Sequence, residues 1–535
     1  MIQNKYLRIK AFIGAILICL SLMMVACTSK FEDFNTDPNR ATDEHLEKDM
    51  LALGGMFPPM MVDIIPTSDI DANEFQRAQN LTGDIFSGYM AAIGQWNNSS
   101  NNSTYNLYYG EWNDVAFDVA YRIMGYWSQI KIKAVEYESQ SAFSLAQILK
   151  IMALHRITDN YGPIPYSKMG QGALGSAYDS QEDVYKGFFE DLNEAINDLR
   201  IFNAADPGAK PLRKYDLIYG GDYKKWIVFA NSLKLRLAMR MVYVEPALAK
   251  QYAEEAVNNE YGVMLSNQDN AELKSGLGVS VYNPLWVCWD RYGDIRMGAS
   301  MESFLKGYSD PRMGVYFKPS GIPGEDYNGV RNGVVISNKS HYMLTSSPKV
   351  ENNSTTSPIL WMCAAEMYFL RAEGALRGWN MGGTAEELYN KGIETSFEHR
   401  GVTGAAAYIA DATSTPANFT DKRGSNSISA TTDIKIKWDG GAAFEKNLER
   451  IITQKWLAMF PEGQEAWTEF RRTGYPKIFP VVRNNSAGTI DTDIQIRRIP
   501  FPESEKRANK EEVDKAVTLL GGPDNGGTKL WWDKK

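Results

Sequence analysis

Apolar residues that return every three or four positions dominate this 535-residue sequence, and that period demands helices. Between Ser180 and Leu199 the stripe is Val184, Phe188, Leu192, Ala195 and Leu199, with Glu182 and Asp183 in the first turn where they suit the helix dipole. Trp226 to Val244 repeats the pattern through Trp226, Ala230, Leu233, Leu237 and Met241, and Pro246 is expected to end it. Leu248–Asn258 reads as a shorter partner. Ala142–Thr158 is apolar almost all round, so it is expected at the centre. Further helices are expected from Asp43 to Gly54, Asn73 to Ile93, Glu111 to Val135 and Pro358 to Gly378. Thr384 and Glu387 form a capping box before a helix that closes at Gly401. Ala443–Phe460 and Gly463–Arg472 are the last strong helices. No sustained alternation of strand and helix exists, which counts against a doubly wound sheet. Paired helices of about fifteen residues suggest a helical-repeat scaffold, although no fixed period repeats in the sequence.

Two stretches break the helical pattern. Residues 262–357 and 402–441 are rich in Gly, Ser, Asn and Pro, and short β-like runs such as Gly333–Ser337 appear in the first. Gln95–Tyr109 is a polar loop headed by Trp96, of a length that often carries function. The tail after Tyr475 is rich in Pro and Asn and ends at Trp531-Trp532-Asp533.

The N-terminus has a different purpose. Lys5, Arg8 and Lys10 precede an apolar or small run from Ala11 to Ala26. Spanning a bilayer takes about 20 apolar residues, so this run fits the core of a secretory signal better. It closes on Met24-Val25-Ala26-Cys27, which resembles a bacterial lipobox. On that reading residues 1–26 are a lipoprotein signal peptide, Cys27 is lipidated, and residues 27–42 are a polar tether to a body at 43–535. The competing reading is an ordinary cleaved signal with an incidental cysteine. Acidic Glu32-Asp33, close behind the anchor, resembles a surface-export signal; a solvated acidic tether explains it equally well.

Charge and motifs narrow the function. The net charge is −8 and no basic tract is visible, which argues against nucleic-acid binding. Cys288 and Cys363 are too few for a disulfide framework and are expected as buried thiols, with a bridge between them the alternative in an oxidising compartment. His45, His155, His341 and His399 lie too far apart for a zinc-protease helix, and His155 is expected in the core. Gly170-x-Gly172-x-x-Gly175 matches a dinucleotide fingerprint but follows no buried strand and is read as a turn. Asp69-x-Asp71-x-Asn73 begins like a calcium loop, but Glu74 and Asn80 stand where glycine and glutamate are needed. No cofactor is expected; a structural calcium stays open.

Several stretches, taken in order, resemble the SusD/RagB family of nutrient-binding outer-membrane lipoproteins over nearly the whole chain. They are Phe31-Glu32-Asp33-Phe34-Asn35-Thr36-Asp37-Pro38-Asn39, Thr158-Asp159-Asn160-Tyr161-Gly162-Pro163-Ile164-Pro165-Tyr166, and Trp226 through Arg240. Asp310-Pro311-Arg312, Ala372-Glu373, Gln454-Lys455-Trp456 and Trp467 through Gly474 follow. The resemblance implies a mainly α fold: tetratricopeptide-like helical pairs carrying loop-rich, partly β inserts. It implies a lipid-anchored protein on the cell surface that caps a SusC-like TonB-dependent barrel and hands it an oligosaccharide or peptide without turnover. The motif arginines Arg236, Arg240, Arg471 and Arg472 are expected to be structural.

Ligand contacts cannot be carried over by motif, so they are sought among loop aromatics. A sugar presents apolar C–H faces and a rim of hydroxyls; a flat Trp or Tyr stacks on the face, and amides or guanidinium take the rim. Trp96 with Asn97 and Asn98, and Trp286, Trp289, Arg291 and Tyr292, are the candidates. The competing role for these rings is packing of the inserts against the helices. The rival function is a surface-anchored hydrolase of polysaccharide or peptide; a structural envelope lipoprotein is a weaker third.

Overall fold

The computed structural model describes residues 50–67, 72–107, 111–169, 176–276, 278–351 and 357–535. The signal and tether, Cys27, Asp43, Gly170-x-Gly172-x-x-Gly175, and Asp69 and Asp71 of the calcium-like run lie outside the described residues. Leu53–Lys535 is one unit. Its long scaffold helices, numbered in chain order, are α1 (Val115–Glu136), α2 (Gln140–Tyr161), α3 (Gln181–Ala205), α4 (Tyr223–Arg240), α5 (Pro246–Val257), α6 (Ala364–Leu376), α7 (Ala385–His399), α8 (Phe444–Met459) and α9 (Gly463–Thr473). They pack in succession, α1 on α2, α2 on α3, α3 on α4 and α4 on α5, with α4 also on α6, α6 on α7 and α8, and α8 on α9. This is the expected tetratricopeptide-like stack. As its composition demands, α2 is buried on every side from Ser144 to Tyr161. Among the described residues, no helix is long and apolar enough to cross a membrane.

Charged residues knit the stack from inside. Arg236 pairs with Glu366 at 2.6 Å, Arg240 with Glu469 at 2.6 Å and with Glu465, and Lys455 with Glu469 at 3.0 Å. Arg472 bridges Glu373 at 2.6 Å and Glu469 at 2.8 Å. All of these side chains are almost fully buried. Removing one partner from such a network strands a charge at low dielectric, which costs about 3–5 kcal/mol. Arg471 donates to the Arg497 carbonyl at 2.9 Å, and its guanidinium lies 3.6 Å from the Trp467 ring centre. The motif arginines are therefore internal ties. His155 is buried, and burial holds its imidazole well below the usual range. Cys288 and Cys363 are buried free thiols.

The structure differs from the periodicity in several places. Asn73–Ile93 is not one helix. A wide π-helical turn spans Gln76–Asp84, and Gly88, at φ 76°, turns the chain into a strand β1 (Met90–Ala92). The backbone leaves helical geometry at Leu81, and beside it Gly83 packs close to α9, where a Cβ would sit 2.6 Å from the Gln464 backbone. Pro246 starts α5 rather than ending α4, which already stops at Arg240 in turns closed by the Met241 carbonyl. Gly333–Ser337 forms no strand; the short strands are β2 (Ala271–Leu273), β3 (Ile295–Met297) and β4 (Ile359–Met362). Pro358–Gly378 thus opens as a strand on β2 before α6 begins. The first insert also holds a helix, Ala299–Gly307, and the tail holds Glu503–Ala508 and Lys510–Leu520.

Candidate functional site

The β1–β3 ribbon decides which loops meet. It is antiparallel with Met90 opposite Met297, Ala91 opposite Arg296 and Ala92 opposite Ile295. The Ile93 N–H continues it by donating to the Asp294 carbonyl at 2.7 Å. Antiparallel pairing carries the residues after β1 and those before β3 to the same end. Trp96, Asn97 and Asn98 leave from one strand there, and the turn Val287–Arg291 with Tyr292 arrives on the other.

The Trp96 loop is held in an uncommon backbone. Asn97, Asn98 and Ser99 have φ of 48°, 51° and 62°, three consecutive left-handed residues. Asn tolerates that region better than most residues because its side chain can bond locally. Here Asn97 Nδ2 donates to the Ser100 carbonyl at 2.8 Å, and Asn101 Nδ2 to the Trp96 carbonyl at 2.9 Å. Ser99 Oγ accepts the Ile336 N–H at 2.8 Å. Trp96 itself is half-buried, edge-on to Trp112 at 5.4 Å, while Asn97 and Asn98 are exposed. Its ring fills the space a side chain on Gly94 would take, 2.5 Å from the ideal Cβ. Strain concentrated in this way is typical of residues held for a purpose.

The second group is less uniform. Trp289 donates from Nε1 to the Val350 carbonyl at 3.0 Å, and the Lys318 ammonium stands 4.3 Å from its ring centre. Trp286 is half-buried with its Nε1 buried and without an acceptor. Arg291 is exposed and Tyr292 half-buried. Among the described residues, no ring contact joins Trp96 to Trp286 or Trp289.

What connects the two groups is a segment of which the sequence marked only the start, as the β-like run Gly333–Ser337, and not as part of a site. Gln95 donates to the Ser337 carbonyl, and Lys339 donates to the Tyr292 carbonyl at 2.7 Å and pairs with Asp294. Residues 335–344 so bridge the end of the ribbon, and Val335, Met343 and Leu344 are exposed apolar side chains on them. The second insert joins here: Tyr342 Oη donates to Asp421 at 3.1 Å, and Arg423 donates to the His341 carbonyl at 2.8 Å. Apolar residues scattered through a polar loop were the available signal; their neighbours could not be read from sequence.

The chemistry on offer is recognition. Aromatic faces, amides and exposed apolar side chains lie around a shared rim. Of the carboxylates beside it, Asp294 accepts from Gln76 at 3.0 Å and pairs with Lys339, Asp421 accepts the Arg423 N–H at 3.0 Å, and Asp290 is exposed. Among the described residues, no group of three or more His, Cys, Asp or Glu converges to hold a metal.

A family model described as SusD-like, Susd and RagB outer membrane lipoprotein, matches residues 33–533. No curated protein matches the chain. Among solved structures, a chitin-binding SusD homolog from Flavobacterium johnsoniae is 45% identical, with a TM-score of 0.86 over 90% of this chain and 99% of its own. A SusD homolog from Bacteroides uniformis is 39% identical, with a TM-score of 0.83 over 90% and 99%. One from Bacteroides vulgatus is 35% identical, with a TM-score of 0.85 over 92% and 99%. With the family match spanning nearly the whole chain and the helical stack shared with these relatives, this protein belongs to the SusD/RagB family of nutrient-binding outer-membrane lipoproteins.

Proposed function

We propose that this protein captures a chitin-type oligosaccharide at the outer face of the outer membrane and delivers it, as a lid, to a SusC-like TonB-dependent barrel. The observation that carries the reading is the ribbon register, which gathers Trp96, Asn97 and Asn98 and the Trp286–Tyr292 stretch at one end. The sugar class is supported by the 45% identical relative described as chitin-binding. N-acetylglucosamine offers an apolar ring face for Trp96 to stack on, and an acetamido group whose N–H and carbonyl match the Asn97 and Asn98 side-chain amides. Lipid on Cys27 anchors the body, since several acyl chains bind a bilayer stably where one does not. The protein binds without cutting, in keeping with the relative described as chitin-binding.

Calorimetry of the detergent-purified chain with chitohexaose, maltohexaose and a peptide of similar length tests this. Chitohexaose is expected to bind, and Trp96→Ala to weaken it by about ten-fold or more. Preference for the peptide would replace the sugar class, and release of shorter sugars during titration would favour a hydrolase. Purification in mild detergent is expected to bring down a large β-barrel.

A further inference from the structure

A second concave site lies where α2 ends at Gly162 and α3 begins after Ser180. The chain's last residues fold over this gap and leave a cavity of about 220 Å³, lined among others by Pro163, Gln181, Glu182, Leu520, Leu530 and Trp531. Its residues are distinct from those of the Trp96 rim. Trp531 is held from both sides. Trp532 is fully buried, donates from Nε1 to Asp159 at 2.9 Å and lies under the Arg471 guanidinium. Asp533 pairs with Arg497, and Leu530 is buried. The Trp531 N–H donates to Gln181 Oε1 at 3.0 Å, and Gln181 Nε2 in turn donates to the Thr158 carbonyl at 2.7 Å. The Trp531 ring stands 5.7 Å from Tyr185 and stays half-buried, bordering the cavity.

A large aromatic ring fixed at the mouth of a cavity is a stacking platform that needs little ordering when a ligand arrives. The rim charges are of both signs. Glu182 pairs with Lys186 at 2.6 Å, Lys529 donates to the Lys535 carbonyl at 2.7 Å, and Lys534 is exposed. Glu182 is thus neutralised by Lys186, and the lysine ammonium groups are donors suited to sugar hydroxyls. We propose that this cavity is a second glycan subsite, in which one neutral sugar ring of a polymer stacks on Trp531. The sugar class rests on the reading of the Trp96 rim; the existence of the platform does not. A second foothold raises retention on a polymer through effective concentration without new contacts at the first.

The test uses the full chain in detergent, with chitohexaose in solution and insoluble chitin as probes. In a Trp96→Ala background a weak residual affinity for chitohexaose is expected, and adding Trp531→Ala is expected to abolish it. Trp531→Ala alone is expected to weaken retention on insoluble chitin by about ten-fold, with Trp531→Phe retaining most of it. Residual binding that is absent, or indifferent to Trp531→Ala, overturns the second site and leaves the Trp96 rim standing. Equal loss in Trp531→Phe together with a lowered melting temperature assigns Trp531 to folding and overturns it too. Failure of the wild type to bind either probe removes the sugar class for both sites.

Discussion

Arg240 sits at the junction of the buried ionic network, within reach of Asp159, Glu465 and Glu469. Replacing it with Met keeps volume but removes the one cation shared by all three carboxylates and leaves Lys455, Arg236 and Arg472 to hold Glu465 and Glu469, so Arg240→Met is expected to cost about 3 kcal/mol in urea unfolding. Burial alone would raise the Glu465 carboxyl, yet Arg240, Arg236 and Lys455 pull it from 4.5 down to about 2. A depressed acid stabilises the fold fully above its unfolded value. That contribution is lost as pH falls from about 4.5 to about 2, the window in which acid unfolding is expected. Asp84 has the opposite sign. Burial, with help from Glu462 and against the hydrogen bond from Asn80, raises it from 3.8 to about 7. The folded protein then binds the proton more tightly, so this contribution is complete below about pH 4 and declines as pH rises to about 7. Asp84→Asn is expected to flatten that decline when urea midpoints are compared across the window.

At the scale of elements, the left-handed turn at Asn97–Ser99 is the part most exposed to substitution. A β-branched residue is a poor fit to positive φ. Asn98→Val is therefore expected to shift the loop and weaken chitohexaose binding severalfold in calorimetry. The melting temperature should change little, because Asn98 is exposed and the stack does not depend on it. The scaffold helices answer to more local rules. The capping box of Thr384 and Glu387 is present as its spacing predicts, with Thr384 N–H donating to the Glu387 carboxylate at 2.9 Å and Glu387 N–H to Thr384 Oγ1 at 3.2 Å. Thr384→Ala is expected to destabilise the protein by about 1 kcal/mol, read as a shift in urea midpoint.

For the whole molecule, the proposed anchor and the body are separable. Cys27→Ser is expected to move the protein from the outer-membrane fraction to the soluble one, while calorimetric affinity for chitohexaose stays as in the wild type. Persistence of the serine variant in the membrane fraction would overturn the lipid anchor.

The helices that carry an apolar stripe were legible because a 3.6-residue period is a property of neighbours in the chain. α2, α3, α7, α8 and α9 stand close to where the spacing put them. The Asn73–Ile93 bend was not legible, because the segment packs against partners far away in sequence, Gly83 against Gln464 among them. The structural role of Arg236, Arg240, Arg471 and Arg472 followed from the family motifs, but their partners did not. The candidate rim divides in the same way. Trp96 and the Trp286–Tyr292 stretch announce themselves as aromatics in polar loops, while residues 335–344 and 421–426 join them only through contacts made by the folded chain. Local pattern was enough to determine the helical scaffold. Which of the candidate loops come together was decided by a six-residue strand pairing, since antiparallel register is set between segments about two hundred residues apart, which no local pattern encodes.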